Sequence, residues 1–281
     1  MKGRSRFALL ILLMSISSLD VIIAQSISLM SYNIKNDYQK EGPDTWNHRR
    51  VAMNTLLHLY EPKILGVQEA LLNQLSYLDS CLTAYKYIGV GRDDGIKAGE
   101  YCAIFYNIKQ YCVLKDGTFW LSESPQKVSK GWDAAYPRIC TYALFQNRSS
   151  AERFWVFNTH FDHKGIKARE ESAKLILATI KQLNSTQYPV IVMGDMNATP
   201  DEFSIQLFND ELNDTYWLSE KACTGPVGTF NGFSQAPVER RIDYIFTDDI
   251  IVKSYRHISD RRQDNSHVSD HLPVLISVEL Q

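Results

Sequence analysis

Apolar and polar positions alternate along the chain in two patterns. Short apolar runs at 27–34 and 64–68 predict buried strands, and the segment between them, 45–60, has helical spacing and ends before Pro62. The next apolar positions repeat at intervals of four and three residues: Leu71, Leu75, Leu78 and Leu82. This spacing predicts an amphipathic helix with one face on the core.

The middle and the end of the chain predict mostly strands. Runs rich in Tyr, Phe, Val and Ile predict five of them: 85–90, 101–106, 111–121, 139–145 and 154–161. The later elements are a long helix, a strand, a short helix and three strands: 166–183, 189–194, 202–208, 241–247, 250–257 and 272–280. Two βα units among hairpin-like strands predict an α/β fold, a four-layer αββα sandwich of two mixed β-sheets with helices on the outer faces.

The first residues form a separate pattern. Three basic residues lie within the first six positions, an unbroken apolar stretch covers 7–14, and small and apolar residues lead to Ala24. This order is typical of a secretory signal peptide, and the apolar stretch is shorter than the roughly 20 residues that cross a bilayer. The sequence therefore predicts a signal peptide at 1–24, a single domain at 25–281, and a periplasmic or secreted protein with no integral membrane segment after cleavage.

Charge and cysteine content narrow the classes of partner. A formal net charge of −2 and a pI near 6.4 argue against an extended surface for duplex DNA, because such binding neutralises many phosphates. The five cysteines include no CxxC pair and no zinc-ligand spacing. A small or locally bound substrate is favoured, while disulfide pairing and oligomeric state stay open.

The most informative segment ends the strand predicted at 189–194. There Asp195 and Asn197 follow an apolar run, and their i, i+2 spacing can point both side chains to one side. A carboxylate in that place can orient a water molecule or hold a hard cation, and an amide can donate to a phosphoryl oxygen. Taken alone, this segment would be interpreted as a turn in which the Asp and Asn side chains form hydrogen bonds with nearby backbone groups.

Other predicted strands carry polar residues at comparable places. Asn33 ends the first strand, Glu69 follows the second, and His160 ends another, while Asp270 and His271 precede the last strand. Asp243 lies within a strand that otherwise reads as core, where a carboxylate needs a partner, and a histidine is the usual one. Independent turns do not explain so many strand ends of this kind, and we predict a common site.

The ordered set resembles the endonuclease/exonuclease/phosphatase superfamily. Seven motifs carry the resemblance over nearly the whole predicted domain: Ser31-Tyr32-Asn33-Ile34, Gln68-Glu69, Gly99-Glu100-Tyr101, Asn158-Thr159-His160, Gly194-Asp195-Met196-Asn197, Arg241-Ile242-Asp243-Tyr244 and Ser269-Asp270-His271. It implies a metal-dependent hydrolase that cuts a phosphate ester with an activated water. Phosphodiesters are slightly favoured, as in a nuclease or phosphodiesterase, and a phosphomonoester of a small molecule, sugar or inositol is the alternative.

The resemblance also implies roles for the residues. Glu69 looks like the principal ligand of Mg²⁺ or Mn²⁺, helped by Asn33 and Asp270, and such oxygen ligands suit a hard cation. Asp243 is similar to the carboxylate that holds the catalytic histidine, His271. His271 is then either the general base or a charged stabiliser of the transition state, and the rival base is Asp195, with Asn197 beside it.

A second pair is implied on the leaving-group side. His160 resembles the second histidine of the deoxyribonuclease branch, and Glu100 stands where that branch has its partner. Such a pair would assist departure of the leaving oxygen, and it is the reason for ranking diesters first. Phosphate contacts are predicted for Arg138, Arg92 and His163, since arginine can bind phosphate bidentately.

Two other classes of protein fit the sequence less well. A catalytically silent binding module on the same fold would have lost an acidic residue or a histidine of the set, and none is missing. A serine esterase would need a Gly-x-Ser-x-Gly elbow, which the sequence lacks. An enzyme of the phosphoesterase class is therefore favoured.

Overall fold

A computed structural model describes residues 26–248 and 250–280, so the predicted signal peptide at 1–24 lies outside the described residues. The strands are β1 Ile27–Asn33, β2 Ile64–Ala70, β3 Tyr85–Ile88, β4 Tyr101–Asn107, β5 Tyr111–Trp120, β6 Ile139–Asn147, β7 Arg153–His160, β8 Val190–Asp195, β9 Asn213–Asp214, β10 Asp243–Thr247, β11 Ile250–His257 and β12 Val274–Leu280. The helices are α1 Trp46–Tyr60, α2 Leu72–Cys81, α3 Ile166–Leu183, α4 Phe203–Glu211 and α5 Thr215–Leu218.

The strands form two six-stranded sheets. The first has the order β11-β12-β1-β2-β4-β3, and the second has the order β5-β6-β7-β8-β10-β9. In each sheet one central pair is parallel, β1 with β2 and β7 with β8, while the other pairs are antiparallel. Because β1, β2, β7 and β8 lie in the middle of their sheets, the polar residues at their ends meet at the centre of one edge of the molecule.

Three apolar layers hold the sheets and helices together. Side chains of the two sheets pack against each other in the middle, among them Leu29, Ile104, Val156 and Met193. Helices α1 and α2 cover the outer face of the first sheet, and α3 and α4 cover that of the second. The predicted four-layer αββα sandwich of two mixed sheets is confirmed.

Close contacts fix how the two sheets lie on each other. Asn158 of β7 is fully buried and crosses to the first sheet, where its amide donates to the carbonyls of Val67 (3.0 Å) and Ala103 (2.9 Å) and its oxygen accepts from Gln68 Nε2 at 2.7 Å. A Cβ on Gly66 would lie 2.9 Å from this amide. The asparagine therefore needs a glycine opposite it, and together they set the sheet-to-sheet spacing beneath the site.

The predicted elements agree with the structure, with end differences of a few residues. Two short elements, β9 and α5, were not predicted, because two and four residues are too few for a periodicity to show. All five cysteines are unpaired. No helix within the described residues combines the length and apolarity that crossing a bilayer requires.

Candidate active site

Glu69 is turned into the site by an irregularity at the end of β2. The pairing of β2 with β4 shifts register between Val67 and Ala70, and Glu69 has a left-handed backbone with φ 62°. Such a bulge redirects a side chain that regular pleating would send elsewhere. The carboxylate accepts from the Asn36 amide at 2.6 Å and backbone N–H at 3.1 Å. Burial raises the pKa of Glu69, but the Lys35 and His271 charges and the Asn36 N–H together hold it below its usual value.

Asn33 organises carboxylates on both sheets. Its Nδ2 donates to Asp195 Oδ2 at 2.9 Å and to Glu69 Oε1 at 3.1 Å, while its Oδ1 accepts the backbone N–H of Lys35 at 3.1 Å. The structure therefore places Asn33 beside the predicted metal ligand Glu69, where it also bridges to Asp195.

Asp243 and His271 form the predicted pair. His271 Nδ1 lies 2.8 Å from Asp243 Oδ2, and both residues are buried. Burial lowers the pKa of His271, but the neighbouring Asp243 and Asp195 carboxylates outweigh it and raise that pKa to about 10. The histidine is therefore an imidazolium at neutral pH, with Nε2 directed toward Asp195 Oδ2 at 3.7 Å.

Asp195 lies at the centre of the site. Its register partners are His160 across the parallel β7 and Asp243 across the antiparallel β10, so sheet geometry alone brings the three together. Burial raises the pKa of Asp195 to about 7, with His271 lowering it and Asp243 raising it. Asn197 follows in a left-handed conformation, φ 46°, and its backbone N–H donates to Asp195 Oδ1 at 2.9 Å. A carboxyl group with this pKa can accept a proton near neutral pH.

His160 and Glu100 do not form the pair that the sequence predicted. His160 Nε2 lies 3.0 Å from Asn197 Nδ2 and 3.3 Å from Asp195 Oδ2, whereas Glu100 Oε2 accepts from Arg92 at 2.5 Å and Oε1 from Asn36 at 3.2 Å. Burial and the charges of two nearby arginines hold the pKa of His160 well below its usual value, so the ring is neutral and a poor proton donor. Arg92 outcompetes His160 for Glu100 because a charged guanidinium suits a buried carboxylate better than a neutral imidazole does.

The three predicted phosphate contacts line the same cavity as these residues. Arg138 is buried and anchored, with Nε 3.3 Å from Asp162 Oδ2 and Nη2 3.2 Å from His163 Nδ1. Its third nitrogen, Nη1, is buried and has no hydrogen-bond partner, and the same is true of Arg92 Nε. Both guanidinium groups belong to residues that line the cavity, and their positive charge suits an anionic ligand there.

Sequence reasoning missed several residues of the cavity, which has a volume of about 650 Å³. They are Lys35, Asn36, Tyr38, Asp93, Tyr136, Arg240 and Ile242. The strand-end pattern does not mark them because all seven lie outside the observed strands. Tyr136 stacks on His163 with ring centroids 5.9 Å apart and lies under Arg92 at 5.4 Å. The rings of Tyr136 and His163 therefore lie beside the charged side chains that line the cavity.

A divalent cation fits these residues. The Lys35 ammonium already lies between two of the predicted ligands, 3.1 Å from Asp270 Oδ2 and 3.8 Å from Glu69 Oε2, so a positive charge is accommodated there. Asp195, Asp243 and His271 form a second group whose ligand atoms lie within 4.8 Å of one another and could bind a metal. Carboxylate oxygens dominate both sets, as hard cations prefer.

A two-sheet sandwich with this acidic, arginine-lined cavity at one edge defines a class, the metal-dependent phosphoesterases. The sequence matches the endonuclease/exonuclease/phosphatase family over residues 30–271, so the chain belongs to this family and hydrolyses phosphate esters.

Solved structures support the assignment. A family protein from Bacteroides thetaiotaomicron is 36% identical, with 92% of this chain and 98% of that chain covered and a TM-score of 0.86. A mannosyl-6-phosphatase from the same organism is also 36% identical, with 90% and 99% covered and a TM-score of 0.85. The human Nocturnin catalytic domain, at 19% identity, 91% and 94% coverage and a TM-score of 0.73, shares the fold.

Proposed function

We propose that this protein is a phosphomonoesterase that removes a terminal phosphoryl group from a small polar molecule such as a sugar phosphate. The observation that carries the proposal is the pair of buried arginines, Arg92 and Arg138, which both line the cavity. A terminal phosphate has three non-bridging oxygens and about two negative charges near pH 7, so it can accept more of these donors than a diester can.

Three further observations support a phosphomonoester of a small molecule. The ranking of diesters rested on a Glu100–His160 pair, and Glu100 is bonded to Arg92 instead. One solved relative at 36% identity is a mannosyl-6-phosphatase. A cavity of about 650 Å³ is also in the range that holds a small ligand.

The proposed chemistry divides between Asp195 and His271. Asp195, with a pKa of about 7, accepts the proton of the attacking water. The bond from phosphorus to the ester oxygen breaks as the new P–O bond forms, and the leaving alcohol takes its proton from solvent water. His271, held as an imidazolium by Asp243, donates from Nε2 to a phosphoryl oxygen as negative charge develops there. In this proposal His271 is the charged stabiliser of the transition state, and Asp195 is the general base. Arg138 and Arg92 hold the remaining oxygens, and neutral His160 with Asn197 positions Asp195.

Glu69 and Asp270 would hold the divalent cation, Mg²⁺ or Mn²⁺. We favour this place over the Asp195–Asp243–His271 group because the short Asp243–His271 hydrogen bond already occupies Nδ1 and one carboxylate oxygen. When bound, the cation polarises the phosphoryl oxygen and offsets charge in the displacement. Five carboxylates line the cavity beside four Lys and Arg side chains and the His271 imidazolium, and the cation would add positive charge for an anionic substrate.

The test is a comparison of hydrolysis of p-nitrophenyl phosphate, bis-p-nitrophenyl phosphate and hexose 6-phosphates with Mg²⁺ or Mn²⁺. The expected result is a higher kcat/KM on the monoesters and a larger loss on monoester than on diester in Arg138→Gln. Asp195→Asn serves as the inactive control. Faster diester cleavage, or an equal loss on both substrates in Arg138→Gln, would contradict the proposal.

We also propose that the protein acts outside the cytoplasm, since residues 1–24 have the pattern of a signal peptide. Determination of the N-terminal residue of the protein purified from its source tests this. A start at or near Gln25 supports export, and an intact Met1 would contradict it.

A further inference from the structure

A lysine occupies the place where the proposed metal ligands face each other. Lys35 Nζ lies 3.1 Å from Asp270 Oδ2 and 3.8 Å from Glu69 Oε2, and its side chain is 34% exposed. The two carboxylates belong to β2 and to the segment before β12, and Lys35 follows β1 between them. One ammonium group therefore balances the charges of two carboxylates that lie on either side of β1.

The backbone of Lys35 is fixed in the conformation that points the side chain there. Lys35 has φ 55°, a left-handed conformation that non-glycine residues rarely adopt. Its N–H donates to Asn33 Oδ1 at 3.1 Å, and its carbonyl accepts from Arg49 Nη2 and Gln74 Nε2, both at 2.9 Å. Arg49 and Gln74 are fully buried, so the strain at Lys35 is held by the helices α1 and α2.

We propose that the Lys35 ammonium is a built-in counter-cation of the Glu69–Asp270 site, which it fills when metal is absent and leaves when a divalent cation binds. Two like-charged carboxylates facing one cavity would repel each other without a cation between them. The lysine removes this repulsion in the metal-free protein, and the same contact weakens metal binding because the ammonium must first be displaced. The long flexible stem and partial exposure of Lys35 allow it to swing into the cavity.

This inference concerns metal binding and does not depend on which phosphate ester is cut. Lys35→Met keeps the length of the side chain and removes its charge. Lys40→Met is the matched control, since Lys40 lies in the same loop, is largely exposed and pairs with Asp37. Mn²⁺ binding by calorimetry should be roughly two- to fivefold tighter in Lys35→Met, a range suited to a partly exposed ion pair, and unchanged in Lys40→Met.

Stability and labelling provide readouts that do not need turnover. Lys35→Met should unfold at a lower temperature than the wild type in EDTA, and saturating Mn²⁺ should narrow this difference. In the wild-type protein, acetylation of Lys35 by an N-hydroxysuccinimide ester, followed by mass spectrometry, should be at least about twofold faster with Mn²⁺, because a displaced ammonium is more accessible. Labelling of Lys40 is the internal control.

Equal or weaker Mn²⁺ binding in Lys35→Met would overturn the proposal, and so would unchanged or slower labelling of Lys35 on metal binding. The labelling experiment uses the unmodified protein, so it decides the matter even if the variant fails to fold. Loss of monoesterase activity would bear on the proposed function and leave this result unaffected.

Discussion

Asp243→Asn tests how the site keeps His271 charged. The substitution preserves the shape of a fully buried side chain and removes the negative charge 2.8 Å from His271 Nδ1. The pKa of His271 is about 10 instead of 6.5, which corresponds to about 5 kcal/mol in favour of the imidazolium. Asp195 lies farther away, at 3.7 Å, so Asp243 supplies the larger share of the attraction. An opposite charge at this range is worth about one to three pKa units, so the pKa of His271 should fall to roughly 8.

The size of the effect depends on pH. At pH 7 the histidine stays mainly protonated in both proteins, and the loss of kcat/KM, roughly a hundredfold, reports lost orientation and charge stabilisation. At pH 9 about 90% of the wild-type histidine and about 10% of the variant histidine is protonated if the two pKa values are near 10 and 8. The ratio of wild-type to variant activity should therefore grow roughly ninefold between pH 7 and pH 9.

The pH dependence of the free energy of unfolding is an independent measure of the His271 pKa. Because the folded pKa of His271 is raised, its stabilising contribution is complete below about pH 6.5 and is lost as the pH rises through about 10. The free energy of unfolding of the wild type should fall by up to about 5 kcal/mol over this range, and that of Asp243→Asn should fall less.

The assays are kcat/KM from pH 6 to pH 10, NMR titration of the His271 ring and urea unfolding at the same pH values. Asp260→Asn is the control, since Asp260 is a half-buried carboxylate that accepts from Tyr60 and lies outside this cavity. A ring pKa in Asp243→Asn equal to that of the wild type, or an activity ratio that does not change with pH, would refute the reasoning.

Three more outcomes are expected. EDTA should stop hydrolysis and Mg²⁺ or Mn²⁺ should restore it, and Glu69→Gln should raise the metal concentration for half-maximal rate at least about tenfold; full activity in chelator would rule out a metal requirement. Activity should rise with pH, with a midpoint at or below about 7, the pKa of Asp195. If the residual activity of Asp195→Asn showed the same rise with pH, Asp195 would be excluded as the base. Asn158→Ala should lower the free energy of unfolding by roughly 3 kcal/mol in urea, because the Val67 and Ala103 carbonyls lose their buried donor, and an unchanged urea midpoint would disprove its role between the sheets.

The sequence by itself determined most of the elements and the order of the site motifs. Helix and strand periodicities are local, so runs of a few residues were enough to predict α1, α3 and β11 within one residue of their observed bounds. The residues predicted that Asp243, a carboxylate in an apolar strand, requires a partner, and the family resemblance predicted that the partner is His271.

Only the tertiary structure decided which charged groups meet. Glu100 bonds to Arg92 and not to His160, and Lys35 lies between Glu69 and Asp270, although neither contact has a signal in the spacing of residues. These contacts depend on the register of strands that are distant in the chain, on the bulge that turns Glu69 and on left-handed backbones at single residues. Such features change a side chain's direction without changing the hydrophobic pattern, because that pattern records which face is buried and not which ion lies opposite.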